Sequence, residues 1–242
     1  MSFKSLAKLY WDKRGKTYDK APGHTEFEYV WERLILAVIN KFNIKPFRAL
    51  DAGCGTGFLA KILQKYKINV ICLDIAEGML KQAKTKLKNS LYVDFIQGDC
   101  EKTPLRDCTV DVVVSRHVLW TLERPHIAIV RWIQTLRKGG VVIVFDGKWH
   151  PKSRKLRLIQ LMFTTWNLIK NRTNIFLGLK YNILRGRHRD NIDIVDNILS
   201  KSRIFYRTYN LTRVRNLLRL VSRQLRIWRS QYYMIVVRKL LA

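Results

Sequence analysis

Ala49-Leu50-Asp51-Ala52-Gly53-Cys54-Gly55-Thr56-Gly57 runs from an apolar strand end into three alternating glycines, and an acidic residue, Asp74, follows Gly53 after twenty-one positions. A glycine turn after a parallel strand lets backbone amides approach a ligand closely, because no Cβ intervenes and left-handed φ values cost little. An acid about twenty residues on, at the end of the next strand, suits a ribose diol. The dinucleotide fingerprint requires its third glycine three residues after the second, where this chain has Phe58. No Gly-Lys-Ser/Thr follows either, which excludes a phosphate loop.

A ligand with a ribose and a charged amino-acid tail but no pyrophosphate needs the close-approach turn without the phosphate cradle, and S-adenosylmethionine is such a molecule. Asp51 to Gly57 resembles motif I of the class I S-adenosylmethionine-dependent methyltransferases. Three further segments agree in order and spacing. Leu73-Asp74-Ile75-Ala76-Glu77-Gly78-Met79-Leu80 is similar to the second-strand motif, Gly98-Asp99-Cys100-Glu101 to the third-strand motif, and Leu136-Arg137-Lys138-Gly139-Gly140 to the turn before the fifth strand. Within the class the set most resembles the type 11, ubiquinone/menaquinone-methyltransferase-like branch.

Alternation of strand and helix argues for an α/β fold with a parallel sheet. Strands are expected at about 47–52, 68–73, 92–96, 110–115 and 141–146, and helices at 25–42, 57–66, 77–88 and 123–137. The continuous apolar runs at Val112–Val114 and Val141–Phe145 suit strands covered on both faces. The resemblance implies a doubly wound, Rossmann-like, seven-stranded sheet, mostly parallel, with an antiparallel C-terminal strand pair and helices on both faces. It also implies one domain over 1–242: lid helices at 1–46, a cofactor-binding core at 47–150, a basic helical insertion at 151–208, and a closing helix and strand pair at 209–242. Residues 182–208 read as loop plus helix, 211–225 as helix, and 225–228 with 231–238 as the two closing strands.

The formal charge is +28. Residues 151–242 hold 21 basic and 3 acidic residues, so +18 of it falls there, with arginine outnumbering lysine 15 to 6. Such density suits a phosphate-bearing partner, either an anionic membrane surface or RNA, or else a solvated face. No stretch is long and apolar enough to span a bilayer and no signal pattern opens the chain, so a cytoplasmic protein, soluble or peripherally bound, is expected. Cys54, Cys72, Cys100 and Cys108 lack metal-ligand spacing. The first three lie near successive strand ends, as buried apolar filling or as a group around a pocket. No metal is expected.

The resemblance implies that Asp74 accepts from both ribose hydroxyls, that Asp99 takes the adenine amine with the Cys100 amide beside it, and that Asp51 orders the turn and the methionine end. Gly53, Cys54, Gly55 and Gly57 form the turn, Ile75 and Met79 flank the adenine, and Ser115 completes the cofactor set. Methyl transfer needs orientation, with a general base when the acceptor is a hydroxyl. His117, leaving the fourth strand, and His24, in a lid-like segment, are the candidate bases. Arg116 suits an anionic acceptor or the cofactor carboxylate, and Trp120, Trp149 and His150 suit an acceptor pocket. The expected activity is methyl transfer to O, N or C of a small, lipid-like organic acceptor. The alternatives are an RNA methyltransferase and a non-catalytic scaffold.

Overall fold

A computed structural model describes residues 2–21, 24–148, 177, 180, 181, 191–200, 205–212 and 231–239. Two helices, α1 (Phe3–Tyr18) and α2 (Glu28–Lys41), precede a βα alternation: β1 (Arg48–Ala52), α3 (Phe58–Gln64), β2 (Asn69–Asp74), α4 (Glu77–Lys86), β3 (Val93–Gln97), β4 (Val110–Arg116), α5 (Pro125–Thr135) and β5 (Leu136–Lys148). Then come α6 (Asn191–Ser200), β6 (Phe205–Asn210) and β7 (Gln231–Arg238). The seven strands form one sheet in the order β3-β2-β1-β4-β5-β7-β6. β1 to β5 are parallel, and β7 runs antiparallel to both β5 and β6. This is the sheet that the resemblance implies.

Side chains alternate across each strand, and the two faces bury separate cores. Ala49, Val112, Val114, Val141, Ile143 and Phe145 pack with α2, α3 and α4 through Ile35, Val38, Leu59, Ile62 and Leu80. Leu50, Ala52, Val113, Val142 and Val144 pack with α5 and α6 through Ala128, Ile129, Trp132, Val195 and Leu199. Trp132 is wholly buried, and its indole N–H donates to the Cys100 carbonyl at 3.1 Å. That bond ties α5 to the loop after β3.

The parallel strands and their helices begin within a few residues of the expected positions. α2 starts at Glu28 rather than 25, because Phe27 takes a left-handed φ of 58°. β5 starts at Leu136, five residues early, absorbing the Arg137–Gly140 turn: Val110 pairs with Leu136, and register resumes at Val112 with Val141 after an irregularity. The closing pair differs more. β7 is found as expected, but its partner is Phe205–Asn210, in a stretch read as loop plus helix, and crosses the boundary placed at 208/209. Phe205-Tyr206-Arg207-Thr208-Tyr209-Asn210 is rich in aromatics. As a mostly exposed edge strand it lacks the apolar run that betrays a buried one. The expected strand at 225–228, most of the helix at 211–225 and most of 151–208 lie outside the described residues.

Candidate functional site

The glycine turn is pinned to the neighbouring strand, since the amides of Gly53 and Cys54 both donate to the Leu73 carbonyl, at 2.8 and 3.0 Å. Gly53, Gly55 and Gly57 have φ of 71°, 54° and 80°, where an L side chain is strained. Behind the turn, Asp51 accepts from the Ala60 amide at 3.0 Å, one turn into α3. Asp51 is 1% exposed, and withdrawal from water pushes its carboxyl up to about 7. It therefore holds the turn and does not line the cavity.

Asp74 ends β2. One carboxylate oxygen accepts from Gly55 N at 2.9 Å and the other from Ala76 N at 2.8 Å, so it links the turn to the start of α4. Burial pushes its carboxyl up to about 6, against the pull of those amides. Asp99 caps the short helical turn Cys100–Lys102 by accepting from the Glu101 amide at 2.8 Å, and its other oxygen meets Lys4 Nζ at 2.5 Å. Lys4 also reaches Glu101, at 2.7 Å. Desolvation pulls the Lys4 pKa down, but its bonds to Asp99 and Glu101 outweigh that and hold it above the usual value.

These groups surround a cavity, open to solvent, at the carboxyl ends of the strands. Of the candidate site residues, Gly53, Gly55, Asp74, Ile75, Met79, Asp99, Cys100, Arg116 and His117 line it. Several other candidates are not brought to it. Cys54 packs against Cys72, so these cysteines are core filling. Gly57 faces Leu87 and Ala83. The hydroxyl of the wholly buried Ser115 donates to the Ala52 carbonyl at 2.8 Å, fastening β4 to β1.

His117 reaches the cavity with φ of 61°, its amide donating to the Phe145 carbonyl at 2.9 Å. His24 does not line it. Its ring lies on Tyr18, 4.1 Å between centroids, and burial, followed by the charges of Arg116 and Arg14, pushes its pKa down to about 3. Such a ring resists taking a proton, which removes the physical case for His24 as the base. Trp120 stands outside the cavity wall, edge-on to Trp11 at 6.1 Å. Trp149 and His150 lie outside the described residues.

Sequence reasoning missed the inner face of α1. Phe3, Lys4, Ala7, Trp11 and Tyr18 all line the cavity. At 100° per residue they fall within about a third of the helix circumference, a one-sided spacing that was legible. Glu101 was noticed only as part of a motif. It is 2% exposed, accepts from the Arg124 amide at 2.7 Å, and so fixes the start of α5 as well as receiving Lys4.

Residues 50–144 match the methyltransferase-domain family. Over this stretch the chain is similar to a methyltransferase domain. Curated proteins are similar as well. The ubiquinone/menaquinone biosynthesis C-methyltransferase UbiE of Campylobacter jejuni is 27% identical over 140 residues, which cover 54% of this chain and 58% of that protein. A malonyl-[acyl-carrier protein] O-methyltransferase of Serratia marcescens is 35% identical over 95 residues, covering 39% and 36%. The similarity thus spans less than two thirds of these relatives' own length. Among solved structures, phosphoethanolamine N-methyltransferase 2 of Haemonchus contortus, in complex with S-adenosyl-L-methionine, superposes with a TM-score of 0.71 at 15% identity, over 100% of this chain and 60% of that one. At that identity the likeness shows the fold alone.

The cavity fits the cofactor that such a domain implies. A Cβ built on Gly55 meets no atom within 4 Å, so the turn leaves open space where a ligand must approach the backbone. Asp74 and Asp99 both line that space, and a carboxylate oxygen retains lone-pair capacity beyond the bonds described.

Proposed function

We propose that the protein is a methyltransferase that moves a methyl group from S-adenosylmethionine to an oxygen, nitrogen or carbon of a small organic acceptor. The observation that carries this is the succession of Asp99, Asp74 and the Gly53–Gly55 turn around one cavity. This set suits an adenine amine, a ribose diol and an amino-acid tail in turn. When bound, the cofactor supplies an electrophilic methyl on a sulfonium, ready for in-line displacement.

The chain's part is then chiefly orientation and exclusion of water. Asp74, locked by two backbone amides, needs no reorganisation to accept a hydroxyl. Trp11, Ala7 and Phe3 of α1 roof the cavity with apolar surface. His117 is the histidine facing the cavity and serves as base where the acceptor is a hydroxyl. A lipid-like acceptor, with the basic residues after 150 resting on anionic headgroups, agrees with the charge distribution.

Calorimetric titration with S-adenosylhomocysteine tests the cofactor. Wild type is expected to bind it and Asp74→Ala to lose at least about tenfold in affinity, the scale of a charge-assisted hydrogen bond. Absence of binding by folded wild type sinks the proposal. Labelled S-adenosylmethionine with fractionated extract then identifies the receiver: label in a small organic or lipid pool supports this reading, and label in RNA supports phosphate gripping by the arginine-rich region.

A further inference from the structure

The strand ends present their side chains in sheet order. Asp99 follows β3, Asp74 ends β2, Gly53 and Gly55 follow β1, and Arg116 ends β4. If the first three positions take the adenine, ribose and methionine portions of the cofactor, as proposed above, the fourth stands beyond the methionine, beside His117. That is where an acceptor must lie to meet the methyl.

Arg116 is 8% exposed. Its guanidinium carbon stands 3.9 Å from the centre of the Phe58 ring and 5.1 Å from that of Trp31, so two aromatic faces hold the group. Nη2 donates to the His24 carbonyl. Nη1 is buried with no hydrogen-bond partner among the described residues. Asp51 and Asp19 act on Arg116 only through space, and no carboxylate among the described residues forms an ion pair with it. A guanidinium withdrawn from water with part of its donor fork idle is costly unless an anion completes it. Carboxylate and phosphate oxygens match that fork.

We propose that Arg116 recognises an anionic group on the methyl acceptor, making the acceptor a small carboxylic acid or phosphate ester whose charge is held by the Nη1 edge while its nucleophilic atom faces His117. The proposal rests on the cofactor reading above. The rings of Phe58 and Trp31 hold the guanidinium and the His24 carbonyl occupies Nη2, which leaves Nη1 for the ligand.

Calorimetry on the full chain tests this with acetate and inorganic phosphate as probes. Each is titrated into protein saturated with S-adenosylhomocysteine, at ionic strength held constant with chloride, because a chain of charge +28 gathers anions non-specifically. Saturated wild type is expected to bind at least one anion, and R116M to bind it about 10- to 100-fold more weakly with unchanged S-adenosylhomocysteine affinity. R116K should fall between, keeping the charge but not the fork. If circular dichroism shows R116M unfolded, the R116K loss decides.

Equal anion binding by wild type and variants, or none by saturated wild type, overturns the proposal. So does an R116M that loses S-adenosylhomocysteine yet keeps 5′-methylthioadenosine, since the guanidinium would then serve the cofactor's own carboxylate. Failure of wild type to bind S-adenosylhomocysteine strikes the cofactor reading itself, whereas cofactor binding without anion binding strikes this inference alone.

Discussion

An alanine Cβ at Gly55 meets nothing within 4 Å, while one at Gly53 meets Val118 Cγ2 at 2.4 Å. Both positions have positive φ, so either substitution carries a backbone strain of about 1–2 kcal/mol. Gly55→Ala adds only a methyl in the ligand's space. It should melt within a few degrees of wild type yet lose S-adenosylhomocysteine affinity. Gly53→Ala should lose melting temperature further, through the clash with Val118. Calorimetry beside thermal scans separates the two, and a Gly55→Ala variant with unaltered affinity contradicts the cavity assignment. Asp51 gives a pH signature. Its carboxyl stands at about 7 in the folded chain against 3.8 without burial, so between those values the folded state keeps a proton that the unfolded state has released. The stability Asp51 contributes is therefore complete below about pH 4 and is lost as pH rises through about 7. Asp51→Asn retains an acceptor for the Ala60 amide and never ionises. It should melt above wild type at about pH 8, the gap narrowing as pH falls toward 4, with each kcal/mol worth about 2–4 °C for a chain of this size. A variant less stable than wild type at alkaline pH contradicts the account.

The element that closes the cavity is α1, and it docks through two glycines. A Cβ on Gly15 would stand 2.4 Å from the Gly78 carbonyl oxygen, and one on Gly78 would stand 2.2 Å from that of Asp12. Asp12 also accepts from the Gly78 amide at 2.9 Å, supplying α4 with the side-chain cap that its own N-cap, Ala76, lacks. In an isolated helix Gly15→Ala would stabilise by about 1 kcal/mol. Here it should lower the melting temperature, speed hydrogen exchange of the α1 amides, leave β1 and β4 protected, and weaken cofactor binding. Exchange unchanged in α1 contradicts this. The Gly15–Gly78 approach was not legible, because it joins positions sixty-three residues apart that carry no local pattern. Strands β1 to β5 and the glycine–acid–acid succession were legible, since burial on both faces and close ligand approach impose local spacing. Where each polar group is spent was not: Ser115 belongs to Ala52, Asp51 to Ala60, and Glu101 to Arg124 and Lys4. Those pairings arise only once the strands are side by side.

For the whole molecule, +28 on 242 residues sets self-repulsion against packing. Several described acidic residues already pair with lysines, as Glu28 does with Lys61 and Lys65, and Asp19 with Lys86. Raising sodium chloride from about 20 to about 300 mM should thus raise the melting temperature, screening of repulsion outweighing the small loss from exposed ion pairs. A fall over that range would show that the ion pairs dominate. No helix among the described residues is long and apolar enough to cross a membrane.

The position of β7 between β5 and β6 bears on how the chain is made. Val141 to Phe145 of β5 are wholly buried, and β7 supplies their second neighbour. The ribosome delivers Gln231–Arg238 some ninety residues after β5 ends, which at ordinary elongation rates is a delay on the order of ten seconds. For that interval an apolar strand edge of the nascent chain has nothing to pair with, and β6, though already synthesised, cannot join the sheet. Sticky intermediates are therefore expected to accumulate before residue 231 emerges and to vanish after it. Ribosome-bound chains stalled at about residue 225 should recruit chaperones that chains released after β7 do not.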